Sequence, residues 1–123
     1  MRVLVDSSII VDIDRQNKDT VNLLKKLVEN NIELVISTIT VSEILTGSYL
    51  KTDVRRSVLI AKEILIQLMW VDFDGEVAEK AAQLLAFLIA EHKEIEYQDT
   101  CIAASFLVSH CDFLLTQNKK DFI

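Results

Sequence analysis

Proline is absent from the 123 residues and glycine occurs only twice. A chain so poor in both lacks the tight turns of a sandwich or barrel and the composition of a linker or low-complexity tail, so helices must fill much of it. Cysteine is as scarce. Cys101 and Cys111 lack CxxC spacing and have no nearby histidine pair for zinc, and both read as reduced core thiols. No apolar run approaches the roughly 20 residues of a membrane span, and Met1 leads straight into an apolar strand with no room for a signal peptide. A cytoplasmic protein is expected. Basic residues are outnumbered, 13 against 19 acidic ones, for a formal net charge of −6. No general basic field draws in nucleic acid, so any such contact must rest on local patches or metal ions.

What is present is a soluble globule, half hydrophobic and 26% charged, of a length that fits one domain over 1–123. The first twelve residues, MRVLVDSSIIVD, organise the rest. Val3, Leu4 and Val5 run apolar without alternation, as expected of a strand covered on both faces at the centre of a parallel sheet. Asp6 ends the run, and Ser7 and Ser8 offer caps for a helix behind it. Asp6 therefore falls at the carboxyl end of the central strand, where open α/β sheets place ligand sites. Taken alone it could simply cap that helix.

Later segments repeat the alternation. Asp12 and Asp14 read as solvated turn residues, and 20–29 as a helix with Val21, Leu24, Leu27 and Val28 inward. Strands are expected at 33–36, 69–73 and 112–115. Helices are expected from the TITVSEILTGS run, over 51–68, over 75–92 with Ala78, Ala81, Ala82, Leu85, Leu88 and Ile89 as its stripe, and over 95–110. The order β-α-α-β-α-α-β-α-α-β-α implies an α/β fold whose parallel sheet has helices on both faces. The broad apolar surface of 51–68, with Leu59, Ile60 and Ile64 beside its main stripe, suggests core packing or a partner interface. His92 reads as a surface histidine at a helix end.

Two more acids follow the pattern of Asp6. Glu43 completes T-x-x-E with Thr40, a capping box; with Thr38 as the cap it would instead lie in the second turn and point across the sheet toward Asp6. Asp99 stands three, four, seven and eight residues before Ile102, Ala103, Phe106 and Leu107, on the apolar stripe of its own helix. A charge there is costly unless it caps the helix or binds a cation.

The segments LVDSSIIVD, STITVSEIL, YQDTCIAAS and LLTQNKKDF, spaced over essentially the whole chain, resemble the pattern of PIN domains, particularly the short prokaryotic VapC-type toxins. The resemblance implies a three-layer α/β/α fold with about four parallel strands and a Mg²⁺- or Mn²⁺-dependent site that hydrolyses RNA phosphodiester bonds. The family's first, second and third acids fall on Asp6, Glu43 and Asp99. Its frequent fourth acid is replaced by Asn118, which leaves Asp121 as the acid able to support the metal. A fifth strand, common in the family, is not expected here. A toxin role further implies a small VapB-type antitoxin, and the wide apolar surface of the helices between Gly47 and Leu68 suggests antitoxin binding there or a homodimer.

The chemistry of the residues agrees with that resemblance. Clustered carboxylates repel unless a hard divalent cation, which favours oxygen ligands, sits among them. Ser8, Thr116 and Asn118 could donate to the acids from behind, and Arg55, Arg56, Lys119 and Lys120 are candidates for holding RNA. Two rival readings remain: a PIN fold kept as a binding module without activity, and a phosphoacceptor receiver domain. The receiver would need an adjacent acid pair after the first strand, where Asp6 is followed by Ser7.

Overall fold

The computed structural model describes residues 1–15 and 17–117. Its elements run β1 (Arg2–Val5), α1 (Ser7–Asp14), α2 (Lys18–Glu29), β2 (Glu33–Ser37), α3 (Thr38–Tyr49), α4 (Val54–Leu65), β3 (Met69–Val71), α5 (Gly75–Ala90), α6 (Tyr97–Val108) and β4 (Phe113–Leu115). The helix expected after the last strand lies outside the described residues, as do Asn118, Lys119, Lys120 and Asp121.

All strand pairs are parallel, in the order β3-β2-β1-β4. Leu4 pairs with Val35 on one side and Leu114 on the other, so β1 is central. Its Val3, Leu4 and Val5 are all buried, which is why the segment reads apolar without alternation. Alternate residues serve opposite layers. Val5 and Ile36 pack with Ile9 and Ile10 of α1, Val41 of α3 and Leu65 of α4, whereas Leu4 and Val35 pack against Ile102 of α6. A further cluster, Val77, Ala81, Cys101 and Ala104, locks α5 to α6. The chain steps from β1 through β2 to β3, then crosses back to β4 on the far side of β1. The direction reverses between β1 and β4, and the carboxyl end of that junction is where such sheets open a crevice. This order also departs from the 2-1-3-4-5 arrangement of receiver domains.

Local chemistry sets the element ends, and in places it overrides the periodicity. The helix expected from residue 51 starts at Val54, because the Asp53 side chain accepts from the Arg56 amide at 3.4 Å and caps it there. Of its apolar residues, Val58, Ala61 and Leu65 are buried and Leu59 is exposed. Asp74 caps α5 through the Val77 amide at 3.1 Å. That helix buries Val77 and Ala81 while Ala78, Ala82 and Ile89 face outward, so its stripe is rotated from the expected one. Alanines all around a helix leave its phase undetermined, and the larger Val77 decides it. With so little glycine, Asn31, His92 and His110 take positive φ (61°, 56° and 56°) just past helix ends, each at a cost of about 1–2 kcal/mol that glycine would spare.

Candidate functional site

Asp6 occupies the position before α1 in extended conformation, yet its side chain makes no capping bond. Its carboxylate is held from behind instead. Ser8 Oγ donates to Oδ2 at 3.2 Å and Thr116 Oγ1 donates to the same oxygen at 2.8 Å. The Asp6 amide donates to the Leu115 carbonyl at 3.0 Å, so β4 reaches past β1 and delivers Thr116 to the acid. Oδ2 is taken by two hydroxyls, and among the described residues Oδ1 is the oxygen open to a ligand.

Glu43 reaches the same place by a different route. Ser37 caps α3 by accepting from the Ile39 amide at 3.2 Å, so neither Thr38 nor Thr40 is the cap. Thr38 Oγ1 accepts from the Phe73 amide at 3.0 Å instead. The Thr40–Glu43 capping box is not formed, and Glu43 sits in the second turn of α3. There its Oε2 accepts from Gln98 Nε2 of α6, a bond that spans the two helices.

Asp99 lies in the first turn of α6, whose cap position is Glu96. It is therefore not the N-cap. A carboxylate within the first turn is favoured by the helix dipole, which gives this charge a stable place beside the sheet.

These residues meet at one cleft of about 140 Å³, lined by Asp6, Ser7, Glu43, Glu96, Gln98, Asp99 and Ile102. Among the described residues no three His, Cys, Asp or Glu side chains come close enough to hold a metal ion between them. Asp6, Glu43 and Asp99 thus share the cleft without closing on one point, as like charges in a polar opening do. The donor set still fits a hard cation. The cleft offers carboxylate oxygens and no His or Cys, and Mg²⁺ commonly takes one or two carboxylates while water completes its shell. Glu96 was missed by sequence reasoning. The available signal was an acid three residues before Asp99, close enough to share one end of the same helix, and its side chain makes no capping bond.

The other candidates lie elsewhere. Arg55 and Arg56 are exposed where α4 opens and do not line the cleft. A larger groove of about 370 Å³ adjoins it, sharing Ser7 and Glu43 and lined by Ile10, Val11, Ile44 and Ile64 of α1, α3 and α4. Tyr49, Leu50, Leu59 and Ile66 are exposed on α3, α4 and their ends. No helix among the described residues is long and apolar enough to cross a membrane.

Comparison with known proteins places this geometry. The family profile described as PIN domain matches residues 3–123. Ribonuclease VapC19 of Mycobacterium tuberculosis is 31% identical over 120 residues, spanning 97% of this chain and 90% of that protein. Among solved structures, VapBC2 of Rickettsia felis bound to a promoter DNA fragment matches with a TM-score of 0.88 at 22% identity, over 98% of this chain and 90% of that one. FitAcB of Neisseria gonorrhoeae matches with a TM-score of 0.78 at 25% identity, over 98% and 91%. The chain, with its acids gathered at the carboxyl end of a parallel sheet, belongs to the PIN domain family, in which its curated relatives are VapC ribonucleases.

Proposed function

We propose that this chain is an endoribonuclease of the VapC type, hydrolysing RNA phosphodiester bonds with Mg²⁺ or Mn²⁺, and that it works in the cytoplasm as the toxin of a toxin-antitoxin pair. The observation that carries the reading is the meeting of Asp6, Glu43 and Asp99, from three distant segments, at one cleft beside the β1–β4 junction. Asp6 and Asp99 are the residues to hold the cation, with Glu43 as a further ligand or as the base that orients water. A divalent ion held there would supply a nucleophilic water near neutral pH and offset the charge of the phosphate. The chain's own residues do the rest. Ser8 and Thr116 fix the rotamer of Asp6, and Gln98 holds Glu43 against the cleft.

A VapB-type antitoxin and a homodimer belong to the same proposal. The Rickettsia felis structure matched above is VapBC2 bound to promoter DNA, and the groove of α1, α3 and α4 offers apolar surface next to the cleft for an antitoxin segment. The exposed Leu50, Leu59 and Ile66 offer surface for a second copy. The decisive experiment incubates the purified chain with single-stranded RNA and Mn²⁺. Cleavage should occur, stop on addition of chelator and vanish in Asp6→Asn with its fold intact. Cleavage that persists undiminished in chelator or in Asp6→Asn would overturn the metal mechanism.

A further inference from the structure

Asp12 reads from the sequence as a solvated turn residue, and the structure gives it a different place. It lies in α1, half-buried, two turns beyond Asp6. Its Oδ2 accepts from Thr20 Oγ1 of α2 at 3.2 Å and from Gln117 Nε2 at 2.9 Å. Gln117 follows Thr116 directly, and its amide donates to Ser8 Oγ at 3.0 Å. Ser8 and Thr116 are the two hydroxyls that grip Oδ2 of Asp6. A closed path therefore runs from Asp12 through the Gln117 side chain and backbone to Ser8 and Thr116, and from both of these to Asp6.

We propose that the Asp12–Gln117 hydrogen bond is a strut that positions Asp6 for its cation by clamping the exit of β4 onto α1. Asp12 is a positioning residue here; it does not line the cleft. The physical reason lies in the short β4. The ladder's last pair joins Val5 to Leu115, and Thr116 is the first residue beyond it. The hydrogen bonds that Gln117 donates, from its backbone amide to Ser8 and from its side chain to Asp12, hold the backbone just after Thr116, while the bond from the Asp6 amide to the Leu115 carbonyl holds it just before. Outer partners that orient a metal ligand are typically worth about 10- to 100-fold in metal affinity. Both donors to Asp12 reach a single oxygen, so an amide oxygen can replace it, and the device depends on the acceptor and not on the charge.

This inference rests on the metal-nuclease reading above, and the test separates the two. The full chain is titrated with Mn²⁺ while its thermal stability is followed, and RNA cleavage is measured in parallel. Asp12→Ala should raise the half-saturating Mn²⁺ concentration about tenfold. Gln117→Ala, a change at an exposed side chain, should raise it equally. The double variant should be no worse than either single one, since both remove the same bond. Asp12→Asn should stay within about twofold of the native value, because its Oδ1 accepts both hydrogen bonds. A purely structural role for Asp12 lowers the metal-free melting temperature and leaves half-saturation unmoved. Native half-saturation in Asp12→Ala and Gln117→Ala, or additive effects in the double variant, would overturn the strut. A native chain that neither binds Mn²⁺ nor cleaves RNA overturns the nuclease reading and the strut with it.

Discussion

Replacing Asp99 by Asn tests the site at the residue whose two explanations differ most. Asn would cap a helix as well as Asp does, but the cap position of α6 is Glu96, so the substitution removes the charge from the first turn while keeping nearly the same shape. Two opposing effects follow without metal. The helix N-terminus loses a favourable carboxylate, about 0.3–1 kcal/mol. The cleft loses one of four acids, Asp6, Glu43, Glu96 and Asp99. Two such charges at a separation of about 6 Å repel by about 0.7 kcal/mol at the dielectric of water, so the loss of three such repulsions returns at most about 2 kcal/mol. The variant should then be the more stable protein in chelator by about 1–2 kcal/mol, or roughly 4–8 °C for a domain of this size. With metal at 100 times its dissociation constant, the native chain gains about 2.7 kcal/mol, some 10 °C, and the variant should lose most of that gain. Melting with and without Mn²⁺, alongside RNA cleavage, measures every term. A variant that melts lower in chelator, answers metal like the native chain and cleaves at the native rate would refute the claim that Asp99 shares a cation site.

Gln98→Ala removes the donor that spans from α6 to Glu43, and it should reduce the cleavage rate about tenfold while leaving the melting temperature within about 1 °C, because a surface hydrogen bond contributes little to stability. Paired rate and melting measurements check this, and an unchanged rate would show that Glu43 needs no partner. Burial raises the ionisation of the Cys101 thiol above the ordinary thiol range, and the Tyr97 side chain offsets this only in part. The thiol ionises later in the folded chain than in the unfolded one, so its contribution to stability is whole below the unfolded value and declines as pH rises through the folded one. Folded protein at pH 8 should resist iodoacetamide at Cys101 until denaturant exposes it, which peptide mass mapping reads directly; rapid labelling of the native fold would sink this account.

Much of the fold is legible because its causes are local. Three unbroken apolar residues before Asp6 announce a strand covered on both faces, and the acids of Asp6, Glu43 and Asp99 follow strand ends or open helices. The choice between the two roles of Glu43 was not local. Ser37, Thr38 and Thr40 can each cap a helix, and only the length of β2 and the bond from Phe73 to Thr38 decide that Ser37 does. The role of Asp12 was further from reach. It depends on a contact with Gln117 across 105 positions, and along the chain Asp12 is simply one acid in the polar run around Asp14 and Arg15. The stripe of α5 failed for a different reason: periodicity has little to report where alanine recurs on every side. Glu96 stayed unread because Asp99 already accounted for an acid at that helix start.

The balance of charge gives the arrangement its final constraint. A formal −6 repels RNA at long range, and the cleft adds to the problem by drawing several of the acids together. Two basic side chains are already committed, Arg2 to Glu33 and Lys51 to Asp14, at 2.8 and 2.7 Å. Arg55 and Arg56 enter no ion pair among the described residues, yet they stand where α4 opens and not at the cleft. On the proposed reading, phosphate cannot be attracted to the acids by the protein's own field. A cation held by Asp6 and Asp99 would supply the positive centre that the phosphate needs. Metal binding and substrate binding would then be coupled, and the grip of Ser8 and Thr116 on Oδ2 of Asp6 would govern both.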